Sequence, residues 1–222
     1  MMTKGKRNLL AGILLIAVFA LWTLAVMTFD VRPLGVEGTD IGFSHVNLPF
    51  HSLTGVNMTL YNVTDWLGLV PVAVGMCFGM TGLVQLIKRR SLFRVDADIL
   101  LLGAYYIIVT ACYLLFEMIP INYRPVLING FMEASYPSST TLLVLGVMPT
   151  LSFQIKRRLK SITGQKIISA ASVLFSLLMV FGRLISGVHW LTDIAGSVII
   201  SAGLYLTYKG IVLFREEKYG IR

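Results

Sequence analysis

Apolar runs recur along this 222-residue chain at lengths that a soluble core does not need. A bilayer core of about 30 Å is crossed by roughly 20 helical residues, and six stretches approach or reach that length: 8–28, 67–87, 98–118, 137–155, 167–182 and 191–213. Hydrocarbon leaves no water to satisfy open backbone groups, so the spanning runs must be helical. The expected fold class is therefore all-α, a six-helix membrane bundle, with residues 1–222 forming one membrane domain. Hydrophobic residues make up 56% of the chain and charged ones 14%, which sets aside the ordinary soluble classes.

A net charge of +8 raises nucleic acid as a partner. The basic residues, however, occur as short clusters between apolar runs, as cytoplasmic loops do, and no nucleic acid is expected. Three precede the first run (Lys4, Lys6, Arg7) and four follow the second (Lys88, Arg89, Arg90, Arg94). Five follow the fourth (Lys156, Arg157, Arg158, Lys160, Lys166) and four lie towards the C-terminus (Lys209, Arg215, Lys218, Arg222). These 16 of the 19 basic residues predict cytoplasmic termini in a cell membrane. The basic start resembles that of a signal peptide, but no convincing small-x-small cleavage site follows, so a retained first span is expected. Cys77 and Cys112 fall inside apolar runs, away from any CxxC spacing. They read as small buried hydrophobes, with no metal, cofactor or disulfide expected.

Between the first two spans, residues 29–66 form a long polar outer loop with a short interfacial helix at 61–66, its aromatics at headgroup depth. Gly75, Gly79 and Gly82 read as a close helix-packing seam. Pro149 is expected to kink the fourth span.

The remaining three basic residues, Arg32, Arg124 and Arg183, fall on the outer face, where positive charge is scarce. Two of them, Arg124 and Arg183, flank the candidate site, whose richest segment is residues 182–193. His189 and Asp193 are four apart, so a carboxylate in the first turn of a helix can reach the ring, fix its tautomer and leave the other nitrogen free to attack phosphorus. Arg183 supplies a fork of donors suited to phosphate oxygens. The plainer alternative is an interfacial histidine beside a helix-capping aspartate. Beside this segment and Tyr123-Arg124-Pro125, a third, 136–140, puts Pro137 at the first position of a helix with Ser135 as its cap, so that free N–H groups and the Ser138 hydroxyl form a phosphate cradle.

Together these segments resemble the type 2 phosphatidic acid phosphatase family, related to the vanadium haloperoxidases. Its six-helix members carry Lys-x6-Arg-Pro, Pro-Ser-Gly-His and Ser-Arg-x5-His-x3-Asp, in the same order and between the same spans. The resemblance implies that His189 is a nucleophile forming a phosphohistidine without metal, that Asp193 is its partner, and that Arg124, Arg183, Ser138 and Ser139 bind phosphate. Two motifs depart from the pattern: Glu117 stands where the family has its lysine, and Thr140 where it has its acid histidine. Gly182 replaces the serine that opens the third motif.

A threonine hydroxyl does not protonate a leaving group at neutral pH. A monoester must expel an alkoxide, whose acid has a pKa of roughly 16 if it behaves like water. A lipid diphosphate expels a phosphate monoester, whose second pKa is about 6. The retained machinery therefore suits a diphosphate of the undecaprenyl type. Substitute acids are His45, His51 and Glu133, the last if burial raises its pKa. Glu117 is expected to pair with Arg124 or Arg183. The alternatives to a lipid phosphatase or diphosphatase are a lipid-phosphate binder or transporter that has lost turnover, and a phosphotransferase. The expected partners are a lipid phosphate and the surrounding membrane lipids.

Overall fold

The computed structural model describes residues 2–220; Arg222, counted above with the C-terminal basic residues, lies outside them. Eight α-helices follow one another: α1 Lys4–Thr28, α2 Ser44–Thr54, α3 Met58–Leu67, α4 Leu69–Arg89, α5 Ala97–Met118, α6 Ser139–Arg158, α7 Ile162–Ile185 and α8 Leu191–Tyr219. Among the described residues β-pairing is limited to isolated bridges, so the fold is all-α. Five helical stretches are long and apolar enough to cross a membrane: α1, α3 together with α4, α5, α7 and α8. Their outward positions carry apolar residues such as Leu21, Ile107 and Leu174, as expected of a lipid-facing surface.

The other long helix, α6, has the length of a span at 20 residues but not the hydropathy. It touches α4, α5, α7 and α8, which explains its composition. Thr141, Thr150 and Gln154 are fully buried on it and find polar partners. Gln154 donates to the Tyr208 hydroxyl at 2.6 Å and accepts from Arg158, while Thr150 and Tyr106 share a hydrogen bond of 2.7 Å. A helix shielded by its neighbours need not be apolar all round.

The closest helix pair is α1 against α8, running antiparallel. A Cβ on Gly12 would stand 2.5 Å from the Thr207 backbone nitrogen, and one on Gly210 2.5 Å from that of Leu9. This is small-residue packing that lets two backbones touch. The seam expected at Gly75, Gly79 and Gly82 is not the closest one. A Cβ on Gly79 would meet nothing within 4 Å, and Gly79, Gly82 and Gly103 line a groove of about 520 Å³ between α4 and α5. Glycine frequency alone does not tell which helix has a backbone opposite.

Other expectations shift with the packing. The spans start earlier or run longer than the apolar runs, because flanking residues continue the helices; α1 begins at Lys4 and α8 reaches Tyr219. Loop 29–66 holds α2 and most of α3, so the short helix expected at 61–66 is the longer Met58–Leu67, which continues into the span of α4. Pro137 precedes α6 rather than opening it, after a cis Tyr136–Pro137 bond, and Ser138 occupies the N-cap position. Pro149 lies inside α6, which continues through it as one helix. Cys77 is exposed on α4 and Cys112 half-buried, both as free thiols, so Cys77 is not the buried hydrophobe expected.

Candidate active site

The site forms where α3, the loop 119–138, the α7–α8 turn and the first turn of α8 converge. Each part is placed by local backbone chemistry. In the loop 119–138, the Ser135 N–H donates to the Asn122 carbonyl at 2.9 Å and the Arg124 N–H to the Glu133 carbonyl at 3.1 Å. This short ladder carries Arg124 and Ser135 together to the site. At the α7–α8 turn Gly187 has φ +68, and a Cβ there would overlap the Gly55 carbonyl. Only glycine lets the turn sit under the start of α3, where the Asn57 N–H bonds the Ser186 carbonyl at 2.9 Å.

His189 is buried, and its tautomer follows from its neighbours. Nδ1 lies 3.2 Å from the Ser135 carbonyl oxygen, which can only accept, so Nδ1 carries the proton. The Ser135 hydroxyl is 3.1 Å from Nδ1 and donates to Asp193 Oδ2 at 2.5 Å. Asp193 itself stands 3.8 Å from Nδ1. The carboxylate therefore orients the ring through Ser135 rather than by the direct bond that the four-residue spacing suggests. Ser135 is thus a relay between the two residues and not the cap of α6. Asp193 also accepts from the Trp190 N–H at 2.8 Å and from Asn122 Nδ2 at 3.4 Å, so it caps α8 while serving the ring.

The other ring nitrogen, Nε2, accepts from Arg183 Nη2 at 3.2 Å. Arg183 is fully buried at the end of α7, its Nε has no partner, and its Nη1 makes only long contacts of 3.5 Å to the Tyr61 carbonyl, Thr64 Oγ1 and Asp65 Oδ1. Arg124 is 7% exposed; its Nε and Nη1 lack hydrogen bonds, although Glu133 Oε2 stands 3.1 Å from Nε. Both guanidinium groups lie on the ring of Tyr61, at 4.6 Å for Arg183 and 5.5 Å for Arg124. Two buried cations share one aromatic ring with donors left over, an arrangement that can take the oxygens of an anion beside His189. Burial, and then the charges of Arg124 and Arg183, push the His189 pKa well below its ordinary 6.5. Both effects favour the neutral ring, protonated on Nδ1, whose Nε2 lone pair accepts from Arg183.

The other sequence candidates lie elsewhere or are engaged. Ser138 is fully buried, donating to Thr141 Oγ1 at 3.1 Å while its carbonyl accepts from Ser197. Ser139 lines a small cleft with Glu117, Tyr113 and Phe116 that contains none of the site arginines. Glu117 is exposed and pairs with neither arginine; Glu133 and Asp65 take those places because the loop ladder and α3 bring them closer. Glu133 is thereby engaged with Arg124 rather than buried as a free acid. Thr140 is buried against Gly68 at the α3–α4 junction. His45 belongs to a separate exposed cluster, with Nδ1 at 2.8 Å from Asp30 and Nε2 at 3.1 Å from Arg32. His51 packs its ring on Trp190, with centroids 5.5 Å apart.

Sequence reasoning missed Tyr61, Asp65, Asn122 and the relay role of Ser135. An aromatic and an acid in the segment 61–66 were the available signal, but headgroup anchoring explains such residues equally well.

The sequence model of the PAP2 superfamily matches residues 73–216. The crystal structure of a transmembrane PAP2-type phosphatidylglycerolphosphate phosphatase from Bacillus subtilis has a similar fold, with a TM-score of 0.59 and 16% identity over 95% of this chain and 98% of that one. No curated protein matches the chain in sequence.

Proposed function

The chain belongs to the PAP2 superfamily and is a multi-pass membrane lipid phosphatase; from that premise we propose that it hydrolyses a polyprenyl diphosphate of the undecaprenyl type through a phosphohistidine on His189. The observation that carries this reading is the neutral, oriented His189 ring, with Nε2 facing two buried, under-bonded arginines. A terminal phosphate on Arg124 and Arg183 would meet the Nε2 lone pair. The N–P bond forms as the P–O bond to the lipid monophosphate breaks, and Nδ1–H stays on the Ser135 carbonyl. Without a histidine at position 140, a leaving group that needs no proton is favoured, as a phosphate monoester is.

The whole chain acts as one domain, with both termini cytoplasmic and the site on the outer face of the plasma membrane, where a lipid headgroup reaches it sideways. The distribution of basic residues supports this orientation, since the clusters lie at the helix ends opposite the site.

The test is phosphate release by purified protein in detergent, comparing a polyprenyl diphosphate with phosphatidic acid, for the native protein and His189→Ala. The expected result is turnover that prefers the diphosphate and disappears in the variant. Equal rates on both lipids would remove the diphosphate assignment. Silence on both, with lipid binding intact, would identify a binder, for which Glu117 and Thr140 are the favouring residues. Phosphate transferred to an added acceptor in place of release would identify a phosphotransferase.

A further inference from the structure

The second half-reaction poses a chemical question that His189 does not answer. Water must attack the phosphohistidine from the side opposite the N–P bond, and some group must take its proton. That group stands beyond the phosphate from Nε2. In the intermediate nitrogen and phosphorus are bonded, so in-line attack puts the water oxygen about 3 Å beyond phosphorus and the base about 3 Å beyond the water.

We infer that Asp65 is this general base, a role that rests on the reading of His189 as the nucleophile. Arg183 spans the two groups: Nη2 lies 3.2 Å from His189 Nε2, and Nη1 lies 3.5 Å from Asp65 Oδ1. Nucleophile and carboxylate thus contact opposite arms of one guanidinium, that of the arginine which would hold the phosphate between them. The Asp65 side chain is 57% exposed, so water reaches it, whereas Asp193 is fully buried on the Nδ1 side of the ring. Glu133 contacts Arg124 rather than Arg183, the arginine that is bonded to Nε2, and Glu117 faces a different cleft. Asp65 also lies one turn before Gly68, whose Cβ position is 3.4 Å from Thr140 Cγ2. The turn that carries the carboxylate therefore packs over the start of α6, beside a threonine that cannot act as a base.

The step balances within the site. Asp65 removes a proton from water as its oxygen bonds to phosphorus. The N–P bond breaks and its electron pair returns to Nε2. Inorganic phosphate leaves, and the proton passes from Asp65 to solvent.

The experiment follows a short-chain polyprenyl diphosphate radiolabelled in its terminal phosphate, with rapid quenching in alkali, where phosphohistidine survives. The expected result for Asp65→Asn is a burst of lipid monophosphate equal to the enzyme present, protein-bound label that persists, and steady turnover reduced by about 10²–10⁴-fold. Asp65→Glu should recover part of the turnover, and added formate part of that of Asp65→Asn. Full turnover by Asp65→Asn would overturn the inference. So would the loss of burst and turnover together in a variant that still binds the lipid, since that places Asp65 before the intermediate. If the native protein itself forms no label and releases no phosphate, the reading of His189 fails first and the inference falls with it.

Discussion

His189 is held by acceptors on one side and donors on the other, and this decides both its tautomer and its charge. The Ser135 carbonyl takes the Nδ1 proton, while Arg183 and Arg124 oppose a proton on Nε2. On the proposed mechanism, protonation of Nε2 would consume the attacking lone pair, so activity would require the neutral ring. Because the pKa in the folded protein lies below 6.5, the ring stays neutral as pH falls through 6.5 and is lost as a nucleophile only further down. The acid limb of kcat/KM, which reports the free enzyme, should therefore lie below pH 6.5. A limb at or above 6.5 would mean that neither burial nor the two arginines keep the ring neutral. That His189 and Asp193 lie close together was legible as a four-residue spacing, and so was the presence of Arg183. Ser135 was not, because its place between them depends on a loop ladder 54 residues away in sequence from the histidine.

At the scale of elements, α3 completes the site, and Gly182 explains how. A Cβ at Gly182 would lie 2.7 Å from Thr64 Cγ2, so the glycine lets α3 press against the end of α7. That contact brings Tyr61, Thr64 and Asp65 onto Arg183. Gly182→Ser, which restores the residue usual in the family's third motif, is expected to push α3 away and lower kcat/KM by about tenfold. Overpacking of a filled contact costs about 1–3 kcal/mol. Parallel assays of the native protein and the variant on the same lipid check this, and a gain in activity would show that α3 is not needed against α7. From the sequence, Gly182 looks like a decayed motif position; the packing shows what the small residue accommodates.

Over the whole molecule, the α1–α8 seam joins the site to the rest of the bundle. Besides the glycine contacts, Trp22 Nε1 donates to the Thr192 carbonyl at 3.2 Å, and Thr23 shares a 2.8 Å hydrogen bond with the Tyr136 hydroxyl. At the opposite end, Arg157 and Arg158 hold Asp98 on α5, and Arg157 also holds Glu216 on α8. Gly12→Leu is expected to separate α1 from α8, lower the thermal unfolding midpoint in detergent by several degrees and reduce activity, because the displaced helix carries Trp22 and Thr23 with it. An unchanged midpoint would show that α1 is not a structural part of the bundle. The sequence by itself determined the fold class, most of the spans and the His189–Asp193–Arg183 segment, because bilayer thickness and helical spacing act over short stretches of chain. Tertiary structure alone decided that α6 is the shielded helix, that α1 and α8 share the tight seam, and that Ser135, Tyr61 and Asp65 join the site. Those outcomes depend on which backbones approach one another across dozens of residues, and local periodicity carries no record of that distance.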